Sequence, residues 1–148
     1  MIDIINKFPQ SWSIIYLGLK NDWLSINDVF SIINSTLYDK ESTDFVVDLN
    51  LCEQKDEMLN LIQENFSINE SLALETWQLA FLFRIDKSTM LIIEKLKSIA
   101  KTWARFDYPD EWSAFIHYMP NEDCNSPEAV YEIFQAFISK EEKKLDKN

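Results

Sequence analysis

The sequence predicts an all-α fold, a single-domain bundle of about six or seven helices spanning residues 1–148. Three observations lead there. Glycine occurs once, at Gly18, and proline four times, so the tight hairpins, phosphate loops and nucleophile elbows that depend on glycine have no place to form. Apolar residues recur at i, i+3, i+4 and i+7 in segment after segment. The chain is 47% apolar, with ten Phe, five Trp and five Tyr, ample material for a core between helices.

Residues 1–10 read as a loosely held lead-in ending at Phe8-Pro9. From Ser11 or Ser13 as cap, Trp12, Ile15, Tyr16, Leu19 and Trp23 follow a helical period. Gly18 sits within this helix at a cost of about 1 kcal/mol against Ala, which marks the close approach of another backbone. Ser25 and Asp28 form a capping pair for a second helix carrying Val29, Phe30, Ile32, Ile33 and Leu37, ending near Tyr38. After a polar connector at 40–43, Phe45, Val47, Leu49 and Leu51 alternate with Val46, Asp48 and Asn50. That alternation gives 44–51 a short extended segment, although no second segment offers a partner strand.

Glu53 to Glu57 then open an acid-rich helix continued by Met58, Leu59, Leu61, Ile62 and Phe66. Asn69 or Ser71 caps the next, whose residues from Leu72 to Phe83 are apolar on nearly every side, as in the buried centre of a bundle. Arg84-Ile85-Asp86 breaks the run, and Asp86 caps a further helix with Met90, Ile93, Leu96, Lys97, Ala100 and Trp103 on its inner side and snorkelling margin. Pro109 starts a short helix with Tyr108 extended before it, Asp110 and Glu111 in its first turn and Trp112, Phe115, Ile116 and Met119 on one face, closed by Pro120. A polar turn at 121–125 leads to Ser126-Pro127-Glu128, a cap followed by proline and an acid. Val130, Tyr131, Phe134, Phe137 and Ile138 form the last stripe, and 140–148 is a frayed, charged tail.

The net charge is −11, and it is unevenly distributed. Residues 41–75 hold nine acids against Lys55, and 107–128 hold six acids and no Lys or Arg, whereas 84–105 hold six bases against Asp86 and Glu94. Acids gather at solvated helix openings for ordinary reasons, but a field of one sign also selects an oppositely charged partner. Such acidity disfavours nucleic acid and anionic membrane surfaces as ligands. No leader pattern and no membrane-length apolar run is present, so the expectation is a soluble cytoplasmic protein.

Little in the chain suggests chemistry. His117 is the only histidine, and it falls on the outer side of an aromatic-faced helix without an evident partner. Cys52 and Cys124 have no metal-ligand spacing and read as buried free thiols. Adjacent acids such as Asp56 and Glu57 point in different directions on a helix. The expectation is therefore no catalytic residue, no metal site and no cofactor.

Trp12-Ser13-Ile14-Ile15-Tyr16-Leu17-Gly18-Leu19-Lys20 through Trp23-Leu24, together with Phe106-Asp107-Tyr108-Pro109 and Phe115-Ile116-His117-Tyr118-Met119-Pro120, resembles an uncharacterised bacterial family of small helical proteins. Proteins of that kind look similar to the immunity proteins that accompany polymorphic or contact-dependent toxins. The resemblance implies a protein that binds and blocks a cognate toxin domain, and the acidity implies a basic one, such as a nuclease. The candidate partner-binding residues are Asp107, Asp110, Glu111, Glu53, Asp56 and Glu57, with Tyr108 and Trp112 as aromatic anchors if they are exposed, although the stripe places Trp112 in the core. The alternatives are a helical adaptor without a toxin partner and a metal-dependent hydrolase built on the clustered acids.

Overall fold

A computed structural model describes residues 2–5, 8, 11–33, 43–116 and 126–146. The fold is all-α, and among the described residues there is no strand. The elements are α1 (Ile2–Ile5), α2 (Trp12–Lys20), α3 (Ile26–Ile32), α4 (Thr43–Asn50), α5 (Lys55–Asn65), α6 (Glu70–Lys87), α7 (Ile92–Arg105), a 3-10 helix (Asp110–Phe115) and α8 (Pro127–Asp146). The chain divides into two compact units, 1–77 and 78–148. The helix end expected near Tyr38, the turn at 121–125, Cys124 and the segment His117 to Pro120 lie outside the described residues.

In the first unit α2 is the buried helix, with every residue from Trp12 to Leu19 inaccessible. Ser11 caps it, accepting from the Ile14 amide at 3.3 Å, while the Ser13 hydroxyl accepts from the Asn69 amide at 2.9 Å. Gly18 is required by a side chain and not by a second backbone: a Cβ there would collide with the Trp77 ring and with Leu24, whose Cδ1 would lie 2.8 Å away. Trp77 is fixed from the other side, its indole N–H donating to the Ile14 carbonyl at 2.9 Å. Ser25 and Asp28 form the expected capping box on α3, with reciprocal bonds of 3.0 and 3.1 Å. In the lead-in, Ile5 is fully buried and Phe8 buried.

The segment 44–51 is helix and not strand. As a lone strand its amides and carbonyls would have no ladder to join, whereas a helix satisfies them internally. Phe45, Val46 and Leu49 face inward, and Phe45 meets Trp12 and Phe66 edge-on at ring distances of 5.1 Å each. Trp12 stacks on Phe66 at 5.0 Å, so one aromatic cluster joins α2, α4 and the end of α5. The strand alternation misassigned Val47 and Leu51, which are 49% and 71% exposed.

In the second unit α6 runs on through Arg84 and Asp86 to Lys87, so the expected break at 84–86 is absent. Burial of Ile85 on the inner face holds the last turn, and Lys95 donates to the Asp86 carbonyl at 2.8 Å, adding a cationic donor at the end of the helix. Asp86 consequently does not cap α7, which begins after Leu91 with no side-chain cap. The inward face of α7 is Leu96, Ile99 and Thr102; Met90 and Ile93, expected inside, are about 40% exposed, and Lys97 is exposed as well. Ser126 caps α8, accepting from the Ala129 amide at 3.2 Å. Its Val130, Tyr131, Phe134 and Ile138 are buried, and the helix continues through the charged tail to Asp146.

Candidate functional site

Residues 103–115 form a tightly constrained turn of the second unit. α7 closes with the Tyr108 amide donating to the Trp103 carbonyl at 2.9 Å and the Asp107 amide to the Ala104 carbonyl at 3.1 Å. This reversal places Asp107 and Tyr108 in the left-handed region, with φ of 62° and 57°. Tyr108 is therefore not extended, as a residue before proline normally is. Two consecutive non-glycine residues with positive φ cost on the order of 1–3 kcal/mol each unless the surroundings enforce them. They are enforced here, because the Trp103 indole donates to the Pro109 carbonyl at 2.9 Å and its ring meets Tyr108 edge-on at 4.9 Å.

Pro109 precedes the following helix and does not begin it, and that helix is 3-10 and ends at Phe115. With three residues per turn, Trp112 and Phe115 lie directly above one another, and both are buried. Phe115 packs on Phe134 and Phe137 of α8 at 5.4 and 5.0 Å. Ile116, expected on the same stripe, is half-buried with an extended backbone.

Around this frame Asp107, Asp110 and Glu111 are exposed, and none forms an ion pair among the described residues. Tyr108 is 53% exposed between them. Trp112 is not available as an anchor: at 2% exposure it is core, packed against Phe106 and Phe115. The turn thus presents an aromatic side chain flanked by three carboxylates, on a backbone that cannot easily collapse away from a partner.

The second predicted group lies in the first unit. Glu53 precedes α5, and Asp56 and Glu57 occupy its first turn, where the helix dipole favours negative charge. All three are exposed and form no ion pair among the described residues. Lys55, the one base in that stretch, reaches back to Asp22 at 2.9 Å. The local field is felt at Cys52, which is half-buried and not buried as expected: burial, then Glu57, then Asp48, push its thiol pKa above the ordinary value. Among the described residues no three of His, Cys, Asp and Glu gather as metal ligands.

Sequence reasoning missed a polar cluster in the second unit. The Tyr131 hydroxyl donates to the Asp86 carboxylate, Gln135 approaches the same oxygen at 3.5 Å, and the Lys95 ammonium lies 3.2 Å from the Tyr131 oxygen and over its ring. Burial and the bond to Asp86 drive the Tyr131 pKa far upward. Tyr131 and Gln135 lie one helical turn apart, a spacing legible in sequence, but nothing local indicates that Asp86 and Lys95 meet them.

This is an all-helical protein whose two predicted groups of carboxylates stand exposed on separate units, one of them around a tyrosine. The chain belongs to the bacterial family DUF2247, described as an uncharacterized protein conserved in bacteria, whose profile matches residues 2–142. No curated protein and no solved structure matches the chain. Among the described residues no helix is long and apolar enough to cross a membrane.

Proposed function

We propose that the protein is a cytoplasmic immunity protein that binds a cognate bacterial toxin domain and neutralises it by occlusion, without chemistry of its own. The observation that carries this reading is the turn at 107–111, where exposed Tyr108 is flanked by Asp107, Asp110 and Glu111, none of them ion-paired among the described residues. A partner that supplies Lys or Arg to these carboxylates displaces only water, and a rigid aromatic residue inside a polar rim is the usual form of an interface hot spot. A nuclease fits best, since a cleft that grips phosphates must be basic and a preformed acidic surface competes for it with fast association. Glu53, Asp56 and Glu57 offer a second cationic-partner surface on the other unit.

The test is protection. Where a toxin domain is encoded beside this gene, cells expressing it should survive when this protein is co-expressed, and the double charge reversal Asp110→Lys with Glu111→Lys should reduce both protection and the salt dependence of binding. Tyr108→Ala should weaken affinity by roughly tenfold or more. If the neighbouring product is unaffected and unbound, the helical adaptor reading replaces this one.

A further inference from the structure

We infer that the outward face of α4 is a second docking site, whose occupant is a cationic amphipathic helix. Asp44, Val47, Asp48 and Leu51 follow the i, i+3, i+4, i+7 spacing that puts them on one helical face, and all four are exposed. The opposite face carries Phe45, Val46 and Leu49, already buried against the aromatic cluster. α4 is thus apolar on both sides, and only one side is covered. Val47 and Leu51, one turn apart and 49% and 71% exposed, form an apolar pair rimmed by carboxylates, the pattern that an amphipathic partner helix matches.

Charge decides the occupant. Asp44 and Asp48 alternate with the two apolar residues, the beginning of α5 adds Glu53, Asp56 and Glu57, and none of the five is ion-paired among the described residues. Asp48 and Glu57 both raise the Cys52 thiol pKa after burial does, so these two carboxylates share the surroundings of that side chain. A second copy of this chain would set these carboxylates against themselves across an isologous contact. A helix with leucine-like residues in the same register and Lys or Arg flanking them would bury Val47 and Leu51 and satisfy the rim together. Glu53, Asp56 and Glu57 are shared with the toxin reading, but Asp44, Val47, Asp48 and Leu51 are not, and the site on those four holds whether or not that reading does.

The probe is a synthetic, labelled helical peptide of leucine and lysine with leucines at i, i+3, i+4 and i+7, titrated with the full chain by fluorescence anisotropy at moderate salt. A serine and lysine peptide of equal charge serves as the control. The leucine peptide should bind, and the serine peptide should bind at least roughly tenfold more weakly, as should the leucine peptide to Leu51→Ser or Asp48→Lys. These exposed substitutions should leave the far-ultraviolet circular dichroism unchanged, and Val47→Ser supplies an independent reading of the same face. Asp110→Lys should leave peptide affinity within about twofold, well under the roughly 1.4 kcal/mol of a tenfold change. Equal binding of both peptides, loss on Asp110→Lys comparable to that on Asp48→Lys, or a dimer of the protein alone that Leu51→Ser dissolves would each overturn the proposal.

Discussion

Replacing Gly18 by alanine should destabilise the protein even though it improves helix propensity. In the interior of α2 the substitution alone gains about 1 kcal/mol. The new methyl group would collide with the Trp77 ring and with Leu24. Neither neighbour yields cheaply. Leu24 is 3% exposed and Trp77 fully buried; the indole is bonded to the Ile14 carbonyl at 2.9 Å and faces Trp23 at 5.2 Å. Overpacking a filled core costs about 1–3 kcal/mol, and a displaced ring that loses its bond leaves the buried indole N–H unsatisfied at about 1–3 kcal/mol more. After the propensity gain the net loss is about 3 kcal/mol, which for a chain of this size is a fall of roughly 6–12 °C in Tm. Urea unfolding followed by tryptophan fluorescence and by circular dichroism measures it. In Gly18→Ala with Trp77→Phe, the smaller ring should make the combined loss less than the sum of the two single losses. A Gly18→Ala variant as stable as the parent, or more so, would show that the glycine is not held there by Trp77.

Three further outcomes are expected. Because Tyr131 has its pKa raised by burial and by its bond to Asp86, the unfolded chain sheds this proton first. The stabilisation is thus complete below about pH 10 and is lost as pH rises above it; Tyr131→Phe should flatten the fall in urea midpoint between about pH 9 and 11. With its thiol pKa raised by burial, Glu57 and Asp48, Cys52 in a Cys124→Ser background should alkylate more slowly at pH 8 than a free thiol, and Glu57→Gln should speed it. Asp107, at φ 62°, should accept glycine at no cost or with a gain of up to about 1 kcal/mol, whereas Asp107→Val should lose roughly 1–2 kcal/mol in the same urea assay.

Where a signal was local, the sequence was enough. The all-α class followed from one glycine and repeated 3.6-residue periodicity, the caps at Ser11, Ser25 and Ser126 from residues within three positions of the amides they serve, and the exposed acids at the α5 opening from the preference of helix beginnings for negative charge. The errors share one cause. Period two and period 3.6 both fit a short run such as 44–51, and the choice falls to whether a partner strand exists, which is a property of the rest of the chain. Aspartate commonly caps a helix, but burial of Ile85 and the contacts that Lys95 of α7 and Tyr131 of α8 make with Asp86 keep α6 intact.

What the sequence by itself determined about this protein is its helical class, most of its helix beginnings and an acidity concentrated in blocks. Only the tertiary structure decided that Tyr108 is presented on a left-handed turn, that Gly18 makes room for a tryptophan distant in sequence, and that Val47 and Leu51 are left uncovered. Burial is set by what packs against a helix from elsewhere in the chain, and a periodic pattern records which residues share a face without recording whether that face meets protein or water.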